Sequence, residues 1–485
     1  MRFHFFPHAA VHHAVLPKSA LLKTVLLSYL LVLSVQPGAV QAGQNNHIDS
    51  DEPGLREMIG QMLLVGFGPG TEVTDRLYSD ITEYNLGGVI LFAYNVDGPA
   101  SLRQLTGDIR RDASTPIFIA IDQEGGHVAR LNENTGYSST LSAEALGELD
   151  SEQATRDQAA LMAGWLSDGG INLNLAPVVD LNINPDSPAI GNLNRSFSDD
   201  PAVVTDHASW FIDEFRQRDI LTALKHFPGH GSATEDSHLG FTDISDTWKV
   251  KELEPYEQLL AQGYSGMIMP GHLYHEDIDP DHPATLSGAF IEGKIRDELG
   301  FGGVIVSDGM FMRAIQNHYG FFESVKMAIN AGMDILLYSA NTYDGDPLVP
   351  QIVDFVEGQV DAGIIERQTI EDSYARIMQM KDEHLPTSAF DLADGSDVPQ
   401  DFNLANYPNP FNPVTTISFE LPRQKQVSLA VYDIQGRRVA ELANGILGAG
   451  RHSFAFDASR LSSGVYVYRL VAGERQITQK MLLVK

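Results

Sequence analysis

From about residue 55 the chain alternates short apolar runs, rich in Val, Ile and Leu, with longer amphipathic segments. The runs lie at 62–67, 88–92, 117–121, 171–175, 221–224, 266–269, 303–306 and 334–337. Near-continuous apolar runs of this length suit strands covered on both faces, as in a parallel sheet. The segments 151–167, 201–217, 249–262 and 286–299 have helical length and composition. Eight β-α units over this span predict an α/β fold of the (β/α)8 type. A doubly wound open sheet is the competing topology, but no Gly-x-Gly-x-x-Gly follows the first run. Helical segments at 348–357 and 367–381 close the region.

After residue 385 the pattern changes. Residues 386–402 are acidic and poor in apolar side chains, which reads as a linker. Beyond it the period becomes two, with strands expected at 415–421, 426–433, 451–457, 464–472 and 476–484. Short strands separated by turn residues over residues 403–485 predict a small all-β sandwich. It carries no cluster of acids, histidines or nucleophiles, so the chemistry is expected in the larger domain, 50–385.

At the N-terminus, Lys18 and Lys23 precede an apolar run, 24–35, and Val40-Gln41-Ala42 offers a small-residue cleavage site. This is the layout of a secretory signal peptide over residues 1–42. The run is near 12 residues, whereas a membrane span needs about 20.

The net charge of −31 changes the list of partners. A phosphate-binding face must be basic, so nucleic acid is excluded. The absence of cysteine removes disulfides, thiol catalysis and Cys-ligated zinc.

In a parallel barrel the residues just after the strands share one face. Here those residues are polar: Asp122 and Glu124, Asp180 and Asn182, Lys225 and His226, His272, and Asp308. The densest stretch runs from Lys225-His226-Phe227-Pro228-Gly229-His230-Gly231 to Glu235-Asp236-Ser237-His238. Pro and Gly break regular structure there, and a loop lets Asp236 meet His238. A carboxylate on one imidazole nitrogen fixes the tautomer and frees the other for proton exchange. Asp308 ends a buried-strand pattern and would share the same mouth; capping of a following helix is its plain structural alternative. Asp122, Arg130, Arg195, Lys225 and His226 could hold sugar hydroxyls by charge-assisted hydrogen bonds. Spacing alone does not separate that use from a simple Asp122–Arg130 ion pair. The histidines with Asp308 also raise a metal reading, but the first run supplies no ligand and no His-x-His ends a strand. No cofactor or metal is expected.

Several strings in order, Gly87-Gly88-Val89-Ile90-Leu91-Phe92, Asp122-Gln123-Glu124-Gly125-Gly126, Asn194-Arg195-Ser196-Phe197, Lys225 through Gly231, Asp236-Ser237-His238 and Val306-Ser307-Asp308, carry a resemblance. Residues 55–385 look like the catalytic barrel of glycoside hydrolase family 3, in its β-N-acetylglucosaminidase branch. The resemblance implies Asp308 as nucleophile, His238 as acid/base with Asp236 as its partner, and Asp122, Arg130, Arg195, Lys225, His226 and His272 as sugar-site positions. It implies retaining hydrolysis of terminal β-linked N-acetylglucosamine in an oligosaccharide or muropeptide. A β-glucoside donor, phosphorolysis, or a non-catalytic sugar-binding role are the alternatives on the same barrel. His127 stands where the family's motif usually has Arg, and Gly309-Met310 replaces the usual Asp-Leu after the nucleophile. The second α/β domain of many members is missing.

Residues 403–485 resemble the sorting domain of type IX secretion cargo, through Asn406-Tyr407-Pro408-Asn409-Pro410-Phe411-Asn412-Pro413, Tyr432-Asp433-Ile434-Gln435-Gly436 and Ser463-Gly464-Val465-Tyr466. That implies the type IX machinery as a partner and an outer-membrane surface or extracellular location. A carbohydrate-binding sandwich is the competing reading of this tail, and no obvious aromatic platform supports it.

Overall fold

The computed structural model describes residues 53–385 and, with short gaps, 404–484. The expected leader, 1–42, and the acidic linker, 386–402, lie outside the described residues.

Seven of the eight apolar runs contain strands: Leu63–Val65, Gly88–Leu91, Phe118–Ile121, Leu173–Asn174, Leu221–Phe227, Met267–Pro270 and Leu336–Tyr338. They pair in parallel in chain order, with the last strand beside the first. The run at 303–306 is not a regular strand. It contributes two parallel bridges, Ile305 to Ile268 and Val306 to Ile335, which join the two ends of the curled sheet.

Successive side chains of a strand point to opposite faces, yet Leu64 and Val65, Val89 and Ile90, and Ile119 and Ala120 are all buried. Both faces are therefore covered, which is why the runs lack a polar alternation. Helices fill the intervals, among them Glu152–Asp168, Pro201–Arg216, Glu254–Ala261, Leu348–Asp361 and Arg367–His384. The segment expected as a helix at 286–299 forms a wide-turned π-helix, Ala289–Glu298.

Two buried polar clusters hold the end of the sheet away from the polar mouth. The Asp334 carboxylate accepts from Arg296 at 2.7 Å, from Arg376 at 2.8 Å and from the Ile305 amide at 2.8 Å. It thus fixes the short segment that the strand pattern leaves under-bonded. Lys381, on the last helix, is fully buried; its ammonium donates to Gln61 Oε1 at 2.6 Å and to the Gly87 carbonyl at 2.8 Å. It lies 4.6 Å from the centre of the Phe118 ring, and burial pushes its pKa well below the usual lysine range.

The tail forms two antiparallel sheets. One orders Ala405–Tyr407, Val414–Leu421 and Gly450–Asp457. The other orders Arg438–Leu447, Lys425–Tyr432, Gly464–Ala472 and Arg475–Leu483. Ile417 and Phe419 of the first join Val427, Leu429, Tyr468 and Leu470 of the second in one apolar cluster. The strands Ala405–Tyr407 and Arg438–Leu447 are additions to the five expected. The second is an edge strand whose pairing slips twice against its neighbour, which breaks the period-two pattern in the sequence.

Candidate active site

A cleft of about 600 Å³ opens where the strands end. Asp122, Glu124, Arg130, Arg195, Lys225, His226, His238 and Asp308 line it together, although they come from four connections and the fifth strand. A wider hollow of about 760 Å³ lies among residues that precede strands, including Tyr264 and Gly303, and contains none of the expected site residues. Chemistry is expected at the carboxyl ends of parallel strands, so the smaller cleft is the candidate.

Its floor is a network of buried charge. The Lys225 ammonium donates to Asp122 Oδ1 at 2.9 Å and pairs with Glu124 Oε1 at 2.7 Å. Arg195 grips Glu124 with two parallel bonds of 2.8 Å and donates a third to the Ala189 carbonyl. Arg130 reaches Asp122 Oδ2 at 3.2 Å. Burial alone would raise the pKa of both carboxylates; Arg195 and Lys225 at Glu124, and Lys225 and Arg130 at Asp122, outweigh it and hold both below the usual range. Burial alone would likewise lower Lys225, and the two carboxylates push it up instead. Every member therefore stays charged at neutral pH. Such a floor presents fixed donors and acceptors to hydroxyl groups without reorganising.

Lys225 and His226 lie inside the fifth strand rather than after it. A register slip between Lys225 and Phe227 turns both consecutive side chains toward the cleft. Asp180 clamps His226: its carboxylate meets the ring Nδ1 at 2.8 Å and the backbone amide at 3.0 Å, and also accepts the His230 amide at 2.8 Å. A proton on Nδ1 leaves Nε2 as an acceptor, and Arg195 approaches it at 3.4 Å. Sequence reasoning placed Asp180 and Glu124 among the polar strand ends but gave neither a role.

Asp308 follows the bridged segment. Its Oδ1 accepts the Gly309 amide at 2.7 Å. Burial would raise its pKa, but the imidazoles of His272, His226 and His238, with that amide, hold it well below the carboxylate range. His272, expected as a sugar-site position, is buried and its ring is held by protein groups. Both ring nitrogens are taken: Nε2 meets the Gly309 carbonyl at 2.9 Å and Nδ1 meets the Thr285 hydroxyl at 2.7 Å. A carbonyl only accepts, so Nε2 carries the proton and Thr285 donates to Nδ1; burial lowers the pKa of this ring. His272 thereby positions Gly309, and through it Asp308.

The loop after the fifth strand carries His238. Gly229 adopts φ +130°, and a Cβ there would lie 2.7 Å from Glu252 Oε2, so only glycine turns the chain at this point. Glu252 is itself buried, accepts the Lys249 amide at 3.0 Å, and is pushed up to about 8 by burial. Further along, Ser237 is buried and bonds His230 Nε2 at 3.1 Å. It anchors the loop between Asp236 and His238. Burial above all lowers His230 to about 4. Asp236 Oδ1 meets both the His238 amide, at 2.9 Å, and its Nδ1, at 2.8 Å. Burial would raise Asp236, but these two bonds hold it below the usual range. The His238 ring is about half exposed, 56%, at the cleft, with no described protein partner on Nε2. The pair is built to orient an imidazole and leave one nitrogen free for proton transfer.

Residues 54–380 match the Glycosyl hydrolase family 3 N terminal domain, and residues 405–485 match the Secretion system C-terminal sorting domain. The chain is 31% identical over 379 residues to Beta-hexosaminidase A of Pseudoalteromonas piscicida, covering 70% of this chain and 62% of that protein's length. It is 32% identical over 307 residues to a Beta-hexosaminidase of Nitrosomonas eutropha, covering 61% and 84%. Among solved structures, a glycoside hydrolase family 3 beta-N-acetylglucosaminidase from Paenibacillus sp. str. FPU-7 superposes with a TM-score of 0.65 at 30% identity, covering 74% of this chain and 71% of that one.

Proposed function

The chain belongs to glycoside hydrolase family 3, and from that membership and the residues of the cleft we propose an exported, retaining β-N-acetylhexosaminidase. The observation that carries the reading is one cleft with two differently kept groups. Asp308 is an ionised carboxylate fixed by the Gly309 amide. His238 is an exposed imidazole fixed by Asp236.

In the reaction, Asp308 attacks the anomeric carbon and the glycosidic C–O bond breaks. His238 gives its proton to the departing oxygen, and Asp236 steadies the ring. A glycosyl ester to Asp308 results. His238, now neutral, takes a proton from water, whose oxygen attacks the same carbon and frees the carboxylate; two inversions give retention. Asp122, Arg130, Arg195, Lys225 and His226 hold the hydroxyl and acetamido groups of the terminal sugar. We read the sheet as a (β/α)8 barrel whose seventh strand is reduced to two bridges, and the two tail sheets as a sandwich. The proposed boundaries are a signal peptide at 1–42, the barrel at 50–385, a linker at 386–402 and the sorting domain at 403–485. The match to a secretion sorting domain supports export through the type IX machinery to the cell surface or beyond.

The test is a fluorinated N-acetylglucosaminyl donor that forms the ester faster than it is hydrolysed. Mass spectrometry of the digested protein is expected to find the sugar on the peptide containing Asp308. Label on another carboxylate, or product of inverted anomeric configuration from an aryl N-acetylglucosaminide, overturns the mechanism.

A further inference from the structure

Loops that also carry cleft residues bring together three rings that the proposed chemistry does not use. Phe241 is 38% exposed, three residues past His238. Its ring centre lies 5.1 Å from that of Tyr274 and 5.4 Å from that of His318. The three rings come from three connections, and each follows a residue of the site closely. Tyr274 stands two positions after His272, and His318 five after Arg313, which lines the cleft. The arrangement is braced rather than loose. The parallel pairing of Leu273 with Thr242 and Tyr274 with Asp243 ties two of the loops together. The Tyr274 hydroxyl donates to the Pro280 carbonyl at 2.7 Å.

A scattered exposed apolar residue needs no account, but three grouped rings at the rim of a sugar-sized cleft do. Aromatic faces stack on the C–H faces of pyranose rings, and their polar edges remain in water. The surrounding charge selects among saccharides. Asp243 lies opposite Tyr274 in the parallel pairing, and Glu276, two residues on, is tied by its amide to Ser245 of the same loop. Arg313 is the cation this rim sets against them.

We propose that Phe241, Tyr274 and His318 form the platform for the second sugar of the substrate, and that the substrate is a neutral β-linked N-acetylhexosamine oligomer rather than an anionic muramyl saccharide. The proposal rests on the glycosidase reading, with the terminal residue over Asp308 and the rest of the oligomer leaving past His238. It places aglycone recognition outside the cleft proper, on loops apart from the charged floor.

Binding separates the platform from the chemistry. In the full chain carrying Asp308→Asn, calorimetry with N-acetylglucosamine and with chitotriose is expected to give about tenfold tighter binding of the trimer. Adding Phe241→Ala removes that gain, and Phe241→Trp restores it. A disaccharide ending in N-acetylmuramic acid binds more weakly than chitobiose, and Glu276→Gln with Asp243→Asn narrows the difference. A trimer advantage that is absent, or that survives Phe241→Ala, overturns the platform. An N-acetylmuramyl disaccharide that binds as tightly as chitobiose overturns the choice of substrate class. Failure of the glycosidase reading shows separately, as no turnover of an aryl N-acetylglucosaminide by the unmodified chain.

Discussion

Asp180 and His226 are joined twice, ring Nδ1 to Oδ2 at 2.8 Å and backbone amide to Oδ1 at 3.0 Å. With the His230 amide on the same oxygen, one buried carboxylate fixes the end of the fifth strand, the orientation of a cleft imidazole and the start of the loop that carries His238. Replacing it should therefore act on catalysis as well as on folding. Asp180→Asn keeps an acceptor for the amides but can present an N–H to the ring. The expected result is a fall in kcat/KM of about tenfold to a hundredfold. Asp180→Ala leaves donors stranded in a dry interior and is expected to cost about 3 kcal/mol or more in denaturant unfolding. Equal activity in Asp180→Asn and the unmodified chain would dismiss the clamp.

The proton-transfer role of His238 makes a prediction that a merely structural loop does not. His238→Ala is expected to lose about 10²- to 10⁴-fold in kcat with an alkyl or sugar leaving group. The loss shrinks with a nitrophenyl leaving group, which departs without a proton. A loss independent of leaving-group acidity, in a series of aryl N-acetylglucosaminides, would remove His238 from that step.

Glu124 is the acceptor shared by Arg195 and Lys225. Glu124→Gln leaves buried Arg195 facing a neutral amide and Lys225 with Asp122 as its remaining carboxylate. A stability loss of about 3 to 5 kcal/mol is expected, since unpairing a buried charge costs more than the pair contributed. Urea unfolding followed by near-ultraviolet dichroism checks it.

His230 and Glu252 lie on either side of the same turn and titrate with opposite consequences. The His230 pKa is about 4 in the fold against an ordinary value of about 6.5. The unfolded chain binds the extra proton between those values. The stability His230 contributes is complete above about pH 6.5 and is lost as pH falls through about 4, up to about 3 kcal/mol. Glu252 is at about 8 in the fold against 4.5. The stability it contributes is complete below about pH 4.5 and is lost as pH rises through about 8. Melting temperature against pH should thus fall at both ends. His230→Gln is expected to flatten the acidic limb and Glu252→Gln the alkaline one; limbs unchanged by either substitution would refute the assignment.

Much of this architecture was legible because burial on both faces writes itself as continuous apolar runs. Seven such runs are strands, and the residues at their polar ends converge on one cleft. The run at 303–306 was equally apolar but forms only bridges, because part of its bonding goes to the Asp334 carboxylate, 29 residues on from Ile305. Partners of that kind leave no local trace. Asp180 was visible as a polar residue beyond the fourth run, yet nothing in its neighbours says that it meets a histidine 46 positions later. The partners of His272 are hidden for the same reason: the Thr285 and Gly309 atoms that meet its ring are visible only in three dimensions. The edge strand Arg438–Leu447 was missed where two slips in pairing erase its alternation.

The buried Lys381 gives the chain an order of events. Its acceptors, Gln61 and Gly87, are made 320 and 294 residues before it. While a ribosome is still extending the chain, those groups at the base of the first two strands face water, and the first helix has no last helix to lean on. The domain can therefore seal only after nearly its whole length has been synthesised. Once sealed, the Lys381 side chain lodged against Phe118 fastens the first strands of the domain to its last helix. Fraying from either terminus then has to break the same joint.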